Sequence, residues 1–268
     1  MKRITLALML VLLLLACGQV EPHAKNKELK IVPVAQHDNF DGVTLILSID
    51  EMFTFTLLAF DETTRIDSDS PGIIELADYS ETNEKAFTIK AVAPGETSLA
   101  FSKEKEKVSI KVVVKAMSIN SSGIKDGKID LAYGKFGSQL SKGVPTLSLP
   151  IEIENPPFTT VSFALSIIDP DGGNWVHWLA TDFSADVLVE NASIKNAAIM
   201  VQGKNDFGTK GYGGPTPPDK THKYVITLYA LNETLNLQEN FSYKQFQEAL
   251  KGKVLATAEL TGTYTNKR

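Results

Sequence analysis

The stretch Ser162-Phe163-Ala164-Leu165-Ser166-Ile167-Ile168-Asp169-Pro170-Asp171-Gly172-Gly173-Asn174-Trp175-Val176-His177-Trp178 decides the fold. Its first seven residues form an apolar run of strand length. Asp169 ends the run and enters Pro170-Asp171-Gly172-Gly173, where a proline of fixed φ and two glycines mark a turn. The chain then resumes as a strand with His177 between Val176 and Trp178. A carboxylate at such a strand end sits on the rim of a sheet, where sites are commonly built.

The same pattern continues downstream. Lys223 to Ala230 reads as a strand that follows His222, and Val254, Ala256, Ala258 and Leu260 alternate with Leu255, Thr257, Glu259 and Thr261. Ser242 to Gln245 is a capping-box pattern. With the apolar stripe Tyr243, Phe246 and Leu250 and the stop Gly252, it predicts one short helix. His222 and Tyr224 fall on one face of their strand because side chains alternate with period two. Together they can offer a ring N–H and a phenolic O–H to one ligand. Upstream of them, Gly211, Gly213 and Gly214 leave room for backbone N–H groups to approach an anion. Asp169 can orient one imidazole and favour its charged form. Each residue also has a plainer reading. A histidine between tryptophans is often a core residue, Trp178 reads as core, Asp171 can cap a turn, and Asn205 and Asp206 order a loop. Asn191-Ala192-Ser193 matches a glycosylation sequon, read here as coincidence.

Residues 29–116 read as a separate unit of short strands. Phe53, Phe55 and Leu57 alternate with Thr54 and Thr56, and Val108, Ile110, Val112 and Val114 alternate with polar residues, Val113 being the exception. Asp67 to Gly72 reads as a strand breaker, and Lys103-Glu104-Lys105-Glu106-Lys107 as a solvated hairpin tip. Several short strands with turns between them predict a small β-sandwich. Phe87 to Ala100, with Ala93-Pro94-Gly95 before a Thr/Ser-rich strand, resembles the penultimate strand of bacterial Ig-like domains. This half shows no cluster of His, Asp or Glu with ligand spacing and reads as a spacer or adhesion-type module.

From Met117 onward the motifs fall in a recognisable order. Asp169-Pro170-Asp171, Trp175-Val176-His177-Trp178, Tyr212-Gly213-Gly214-Pro215-Thr216-Pro217-Pro218 and His222-Lys223-Tyr224 resemble the phosphatidylethanolamine-binding protein family. The likeness is nearest to its bacterial branch, the Raf-kinase-inhibitor-like proteins. It extends through Leu149-Pro150, Glu154 to Pro157, Gly203 to Phe207, Leu228 to Leu231 and Leu260 to Tyr264. The resemblance implies a large antiparallel sheet packed on a smaller one, with peripheral helices and a rim pocket for phosphate-like anions. It places Asp169, His177, His222 and Tyr224 in that pocket. Gly211 to Pro215 should form one wall, and Trp175, Pro170 and Asp171 should line or shape the mouth. The chain departs from the family pattern at Gly172-Gly173, where the family often has Ala-Pro and a longer stretch; a wider or more mobile mouth is expected.

The N-terminus sets the expected compartment. Lys2 and Arg3 precede an apolar run from Ile4 to Ala16, too short to span a bilayer but suited to a secretory leader. The run ends Leu14-Leu15-Ala16-Cys17, which resembles the lipobox of bacterial lipoproteins. That resemblance makes Cys17 the lipidated first residue of the mature chain, with residues 18–28 as a tether. Cys17 is also the sole cysteine, so no thiol remains for catalysis. The expected place is the cell envelope, outside the cytoplasm, on the outer membrane where the cell has one. The chain has 27 basic and 32 acidic residues. Without Lys2 and Arg3 the balance is 25 to 32, a net −7, with no basic patch for nucleic acid.

The expected class is therefore mainly β: a leader (1–17), a tether (18–28), an Ig-like sandwich (29–116) and a domain like the phosphatidylethanolamine-binding proteins (117–268). The leading functional reading is a membrane-anchored module that binds a phosphate-type anion or phospholipid headgroup. A protein-interaction or inhibitor module acting through its surface is the alternative, since eukaryotic relatives inhibit kinases or proteases. A weak phosphoester hydrolase is a further one. No catalytic set, metal site or cofactor is read: there is no nucleophile-elbow serine, no Walker loop, and the two histidines lack helical i, i+4 spacing.

Overall fold

A computed structural model describes residues 30–33, 42–58, 64–79 and 85–267. The leader, Cys17 and the tether lie outside the described residues. The strands before Met117 form two four-stranded sheets. One runs Lys30–Pro33, Met52–Leu58, Lys85–Ala91, Ile74–Tyr79, and the other Thr44–Ser48, Glu106–Lys115, Gly95–Lys103, Arg65–Ser68. Phe55, Phe87, Ile89, Leu99, Phe101, Ile110 and Val112 meet between them. Phe55, Phe87 and Phe101 lie with ring centroids 5.5–5.7 Å apart. The period-two reading of Val108 to Val114 describes this face; Val113, the exception to it, is buried as well. The breaker begins later than Asp67, because Asp67 and Ser68 still pair with Ala100 and Leu99. Ser68 and Thr97 share a hydroxyl hydrogen bond of 2.9 Å across that edge, which holds two turn-forming residues extended.

After Met117 the main sheet has seven strands. Its centre is Val254–Tyr264, His222–Leu231, Ser162–Asp169 and Trp175–Phe183, in that order, all antiparallel. A second sheet of Val187–Leu188, Ile151–Glu154 and Ser118–Asn120 covers one face. Phe163, Leu165, Ile167, Ile226 and Leu228 meet Ile119, Ile151, Ile153 and Leu188 there. The other face is covered by the helix Tyr243–Leu250 and the loop before it, through Leu235, Phe241, Phe246 and Leu250. Ser162–Asp169 is thus buried on both faces, which is why it reads as a continuous apolar run.

The strand Trp175–Phe183 is irregular where it matters. Ile167 pairs with Trp178 and Ile168 with Val176, so His177 is the extra residue of a β-bulge. Val176 and Leu179 pack on the helix side, while Trp178 packs on the side of the second sheet. The bulge turns His177 to the latter side as well, against the ring of Tyr224 at 5.1 Å.

The two halves touch where the turn after Thr44–Ser48 meets Pro157 to Thr159. Phe158 N–H donates to the Ile49 carbonyl at 2.8 Å, and Thr159 Oγ1–H to the Asp50 carboxylate at 3.1 Å. Lys90 pairs with the same carboxylate at 2.8 Å.

The helix offers a direct test of the packing. Ser242 and Gln245 complete both arms of the capping box, and Phe246 stacks on Phe241 at 6.0 Å with no exposed surface. Phe246→Ala should cost about 3–5 kcal/mol and Ser242→Ala about 1 kcal/mol, read from chemical-denaturation midpoints. Equal losses would mean that the helix is not part of the core.

Candidate functional site

At one end of the main sheet the strand ends and two loops enclose a cavity of about 580 Å³. Asp169, His222 and Tyr224 come from the two central strands, and Trp175 and His177 from the bulged neighbour. Asp171 and Gly172 close the turn side, Phe207 one flank, and Thr216, Pro217, Pro218 and Asp219 the opposite rim. A cleft of about 620 Å³ lies beyond Thr221, lined among others by Lys125, Lys128, Thr263 and Thr265; it contains no histidine.

The polar centre is a chain of three side chains. His222 Nδ1 donates to Asp169 Oδ2 at 2.7 Å, and His222 Nε2 donates to Asp219 Oδ1 at 2.8 Å. His222 and Asp169 are 5% exposed, whereas Asp219 is 66% exposed. Burial alone would push the His222 imidazole down, but the bonds to Asp169 and Asp219 outweigh it and hold its pKa above the ordinary histidine value. Its bond to His222, and then the Lys220 N–H, hold the Asp219 carboxyl below its usual range. Asp169 does a second job, accepting the Gly172 N–H on Oδ1 at 2.8 Å.

His177 is set differently. Its Nδ1 lies 2.5 Å from the Gly213 carbonyl, which can only accept, so Nδ1 carries the proton. In the neutral ring Nε2 is then an acceptor. Burial lowers the His177 pKa, with the Gly213 carbonyl and the Asp169 charge opposing only in part. Tyr224 is buried, and its hydroxyl lies beside the Asp169 carboxylate without a well-aligned hydrogen bond among the described residues. Burial first, and then the negative charge of Asp169, raise its pKa and keep the proton in place.

The structure therefore gathers Asp169, Asp171, Trp175, His177, His222 and Tyr224 around one cavity. It does not bring Gly211, Gly213, Gly214 or Pro215 to the lining, and the expected glycine wall is corrected. Their polar groups are committed internally. Gly213 N–H donates to the His177 carbonyl, Gly214 N–H to Pro145, Gly211 N–H to Gly203, and the Pro215 carbonyl accepts from Lys135. A side chain at Gly214 would sit 2.2 Å from the Tyr133 carbonyl, so close backbone packing explains that glycine. The wall is formed instead by Thr216 to Asp219, which follow directly after Pro215.

Asp171 accepts the Lys223 N–H at 2.8 Å, joining the turn to the neighbouring strand. Gly172 has room for a side chain only at 3.0 Å from the Asp169 carboxylate, so its smallness keeps that carboxylate undisturbed. Trp178 is core, its Nε1 bonded to Gln202. Asn205 and Asp206 order their loop, Asp206 accepting the Val176 N–H at 2.7 Å. Ser193 of the sequon is buried and bonded to Gln202. Phe207, Thr216, Pro217, Pro218 and Asp219 are lining residues that sequence reasoning did not assign to the pocket. Asp219 lies three residues before a histidine in a Pro-rich turn, a spacing that lets a carboxylate fold back on the ring. Among the described residues, no three His, Cys, Asp or Glu side chains converge as metal ligands.

Opposite shifts on two imidazoles give opposite linkage. An unfolded histidine titrates near pH 6.5. His222, raised in the fold, contributes stability fully below about 6.5 and loses it as pH rises through its folded value. His177, lowered in the fold, contributes above about 6.5 and loses that as pH falls through its folded value. Imidazole NMR of the whole chain should show one midpoint above about 6.5 that vanishes in His222→Ala and one below it that vanishes in His177→Phe. Coincident midpoints for the two would contradict this geometry.

Comparison with known proteins follows the same lines. The family model for the phosphatidylethanolamine-binding proteins matches residues 120–265. YxkA of Bacillus subtilis is 34% identical over 148 residues, covering 48% of this chain and 88% of that protein. The crystal structure of a phosphatidylethanolamine-binding protein homologue from Chlamydia trachomatis superposes with a TM-score of 0.50 at 34% identity, over 57% of this chain and 99% of that one. The structure of E. coli YbcL, described as a member of the mammalian family, gives 0.51 at 28% identity, over 57% of this chain and 100% of that one. The motif order, the two-sheet architecture and these matches agree: from residue 120 to 265 this is a domain of known type, and the chain belongs to the phosphatidylethanolamine-binding protein family.

Proposed function

We propose that the cavity binds a phosphate-type anion, carried on a small molecule or a lipid headgroup, in a protein held outside the cytoplasm by lipid on Cys17. The observation that carries the reading is the pairing of His222, an imidazole held between the Asp169 and Asp219 carboxylates, with the unsatisfied buried hydroxyl of Tyr224. Both face one cavity, and a buried hydroxyl without a partner costs free energy that a ligand oxygen would recover. His177 complements them. Its Nε2 lone pair suits the P–OH of a singly protonated phosphate, so the three side chains match a group that both accepts and donates. Trp175, Phe207, Pro217 and Pro218 add apolar surface for the carbon skeleton of a phosphomonoester.

The N-terminal sandwich, read as an Ig-like spacer, would hold this pocket away from the membrane surface. The leader pattern and the sole cysteine support the anchor; among the described residues no helix is long and apolar enough to cross a bilayer.

Two measurements test the proposal. Titrating inorganic phosphate and phosphoethanolamine into the whole chain should shift the imidazole resonances of His177 and His222. His222→Ala should weaken that binding about ten-fold or more, the scale of one charge-assisted hydrogen bond. Absence of any shift at millimolar ligand would sink the anion reading. For the anchor, cells fed a labelled fatty acid should label the wild-type chain and not Cys17→Ala; an unlabelled wild type would remove the lipid.

A further inference from the structure

The pocket has more acceptors than donors. His222 has two N–H groups, and both are taken: Asp169 holds Nδ1 and Asp219 holds Nε2. The Nδ1 proton of His177 is committed to the Gly213 carbonyl. The Tyr224 hydroxyl is a buried donor of the lining that makes no hydrogen bond among the described residues. An anion entering this cavity therefore meets an imidazolium whose outward N–H is already bonded to a carboxylate.

The two carboxylates on His222 are not equivalent. Asp169 is buried, and its other oxygen is tied to the Gly172 N–H. Asp219 is mostly exposed, and it reaches the ring from the rim loop, i−3 in sequence. The backbone at Asp219 is itself anchored, because the Asn266 side-chain amide donates to the Asp219 carbonyl. The carboxylate can therefore leave by rotation of its own side chain into solvent, with the loop in place.

We propose that Asp219 is a resident carboxylate that occupies the anion position of the pocket and must be displaced from His222 Nε2 when an anionic ligand binds. This rests on the anion reading above and adds a specificity element to it. Binding becomes an exchange of one oxyanion for another on the same N–H. Weak or poorly placed anions fail to displace Asp219, and the imidazolium is not left open to every anion in solution. The apparent affinity is reduced by the fraction of time Asp219 is away, so removing the side chain recovers that factor.

The experiment compares inorganic phosphate binding to the full-length wild type, Asp219→Ala, Asp219→Asn and Asp171→Asn, followed by the His222 imidazole shift. Asp171→Asn removes the same charge from the pocket rim without touching His222, so it reports simple repulsion. The exposed position of Asp219 keeps its variants folded, which thermal melting verifies. Asp219→Ala should tighten phosphate binding about two- to five-fold, as expected for release of one exposed charged contact. Asp171→Asn should give clearly less, and Asp219→Asn, which keeps a weaker acceptor, should fall between. Without ligand, the His222 midpoint should drop in Asp219→Ala, where Asp169, Tyr224 and Asp171 remain the titratable neighbours. Wild-type affinity in Asp219→Ala, or a gain no larger than that of Asp171→Asn, overturns the displacement while leaving the anion site intact. Weaker binding in Asp219→Ala would make Asp219 a ligand contact and overturns it too. Absence of phosphate binding in every form overturns the anion site and the displacement together, and the ligand-free His222 midpoint then shows whether the contact itself exists.

Discussion

The ion pair between Asp169 and His222 is the contact on which the pocket depends. Two groups that would each be costly to bury alone sit at the ends of adjacent strands and neutralise one another. The pairing register brings them within reach: Ile168 faces Val225, so the next step towards the rim sets Asp169 level with Tyr224, and His222 lies two residues on along the same face. One carboxylate consequently sets three things. It closes the Pro170 to Gly173 turn through the Gly172 N–H, favours the charged form of His222, and helps hold the proton on Tyr224. The polar centre of the cavity, Asp169, His177, His222 and Tyr224, is a property of the sheet itself more than of the loops above it.

Much of this was legible in the sequence because it rests on local rules. The apolar run Ser162 to Ile168, the period-two strands and the capping box at Ser242 each carry a signal within a few residues. The motif order then located Asp169, His177, His222 and Tyr224, which the fold does bring to one place. What could not be read depends on long-range fit. The glycines at 211, 213 and 214 each sit where an added side chain would meet a neighbour, Ser193 and Gln202 for Gly211, Phe207 and Asn205 for Gly213 and Tyr133 and Pro145 for Gly214, contacts that no local pattern shows. Asp67 and Ser68 look like turn residues but are held extended by cross-strand partners. Asp219 was missed because an exposed Asp in a Pro-rich loop has an ordinary explanation until its ring partner is seen.

The two halves divide the labour physically. Each has its own apolar core, and neither core cluster draws on residues of the other half. The junction is narrow and polar, made around Ile49, Asp50, Phe158 and Thr159. It lies at the far end of the strand Ser162–Asp169 from Asp169, so the N-terminal sandwich and the pocket sit at opposite ends of the same central strand.

The bulge at His177 has a consequence for how this chain tolerates change. Trp178 fills the core on one side, Val176 packs on the other, and His177 reaches the cavity only because one extra residue is accommodated between them. Deleting His177 itself would leave a regular strand with Val176 and Trp178 still on their own sides, so the hydrophobic core does not require the extra residue. The bulge is an addition to a strand that would pack without it, and what it adds is an imidazole facing the cavity.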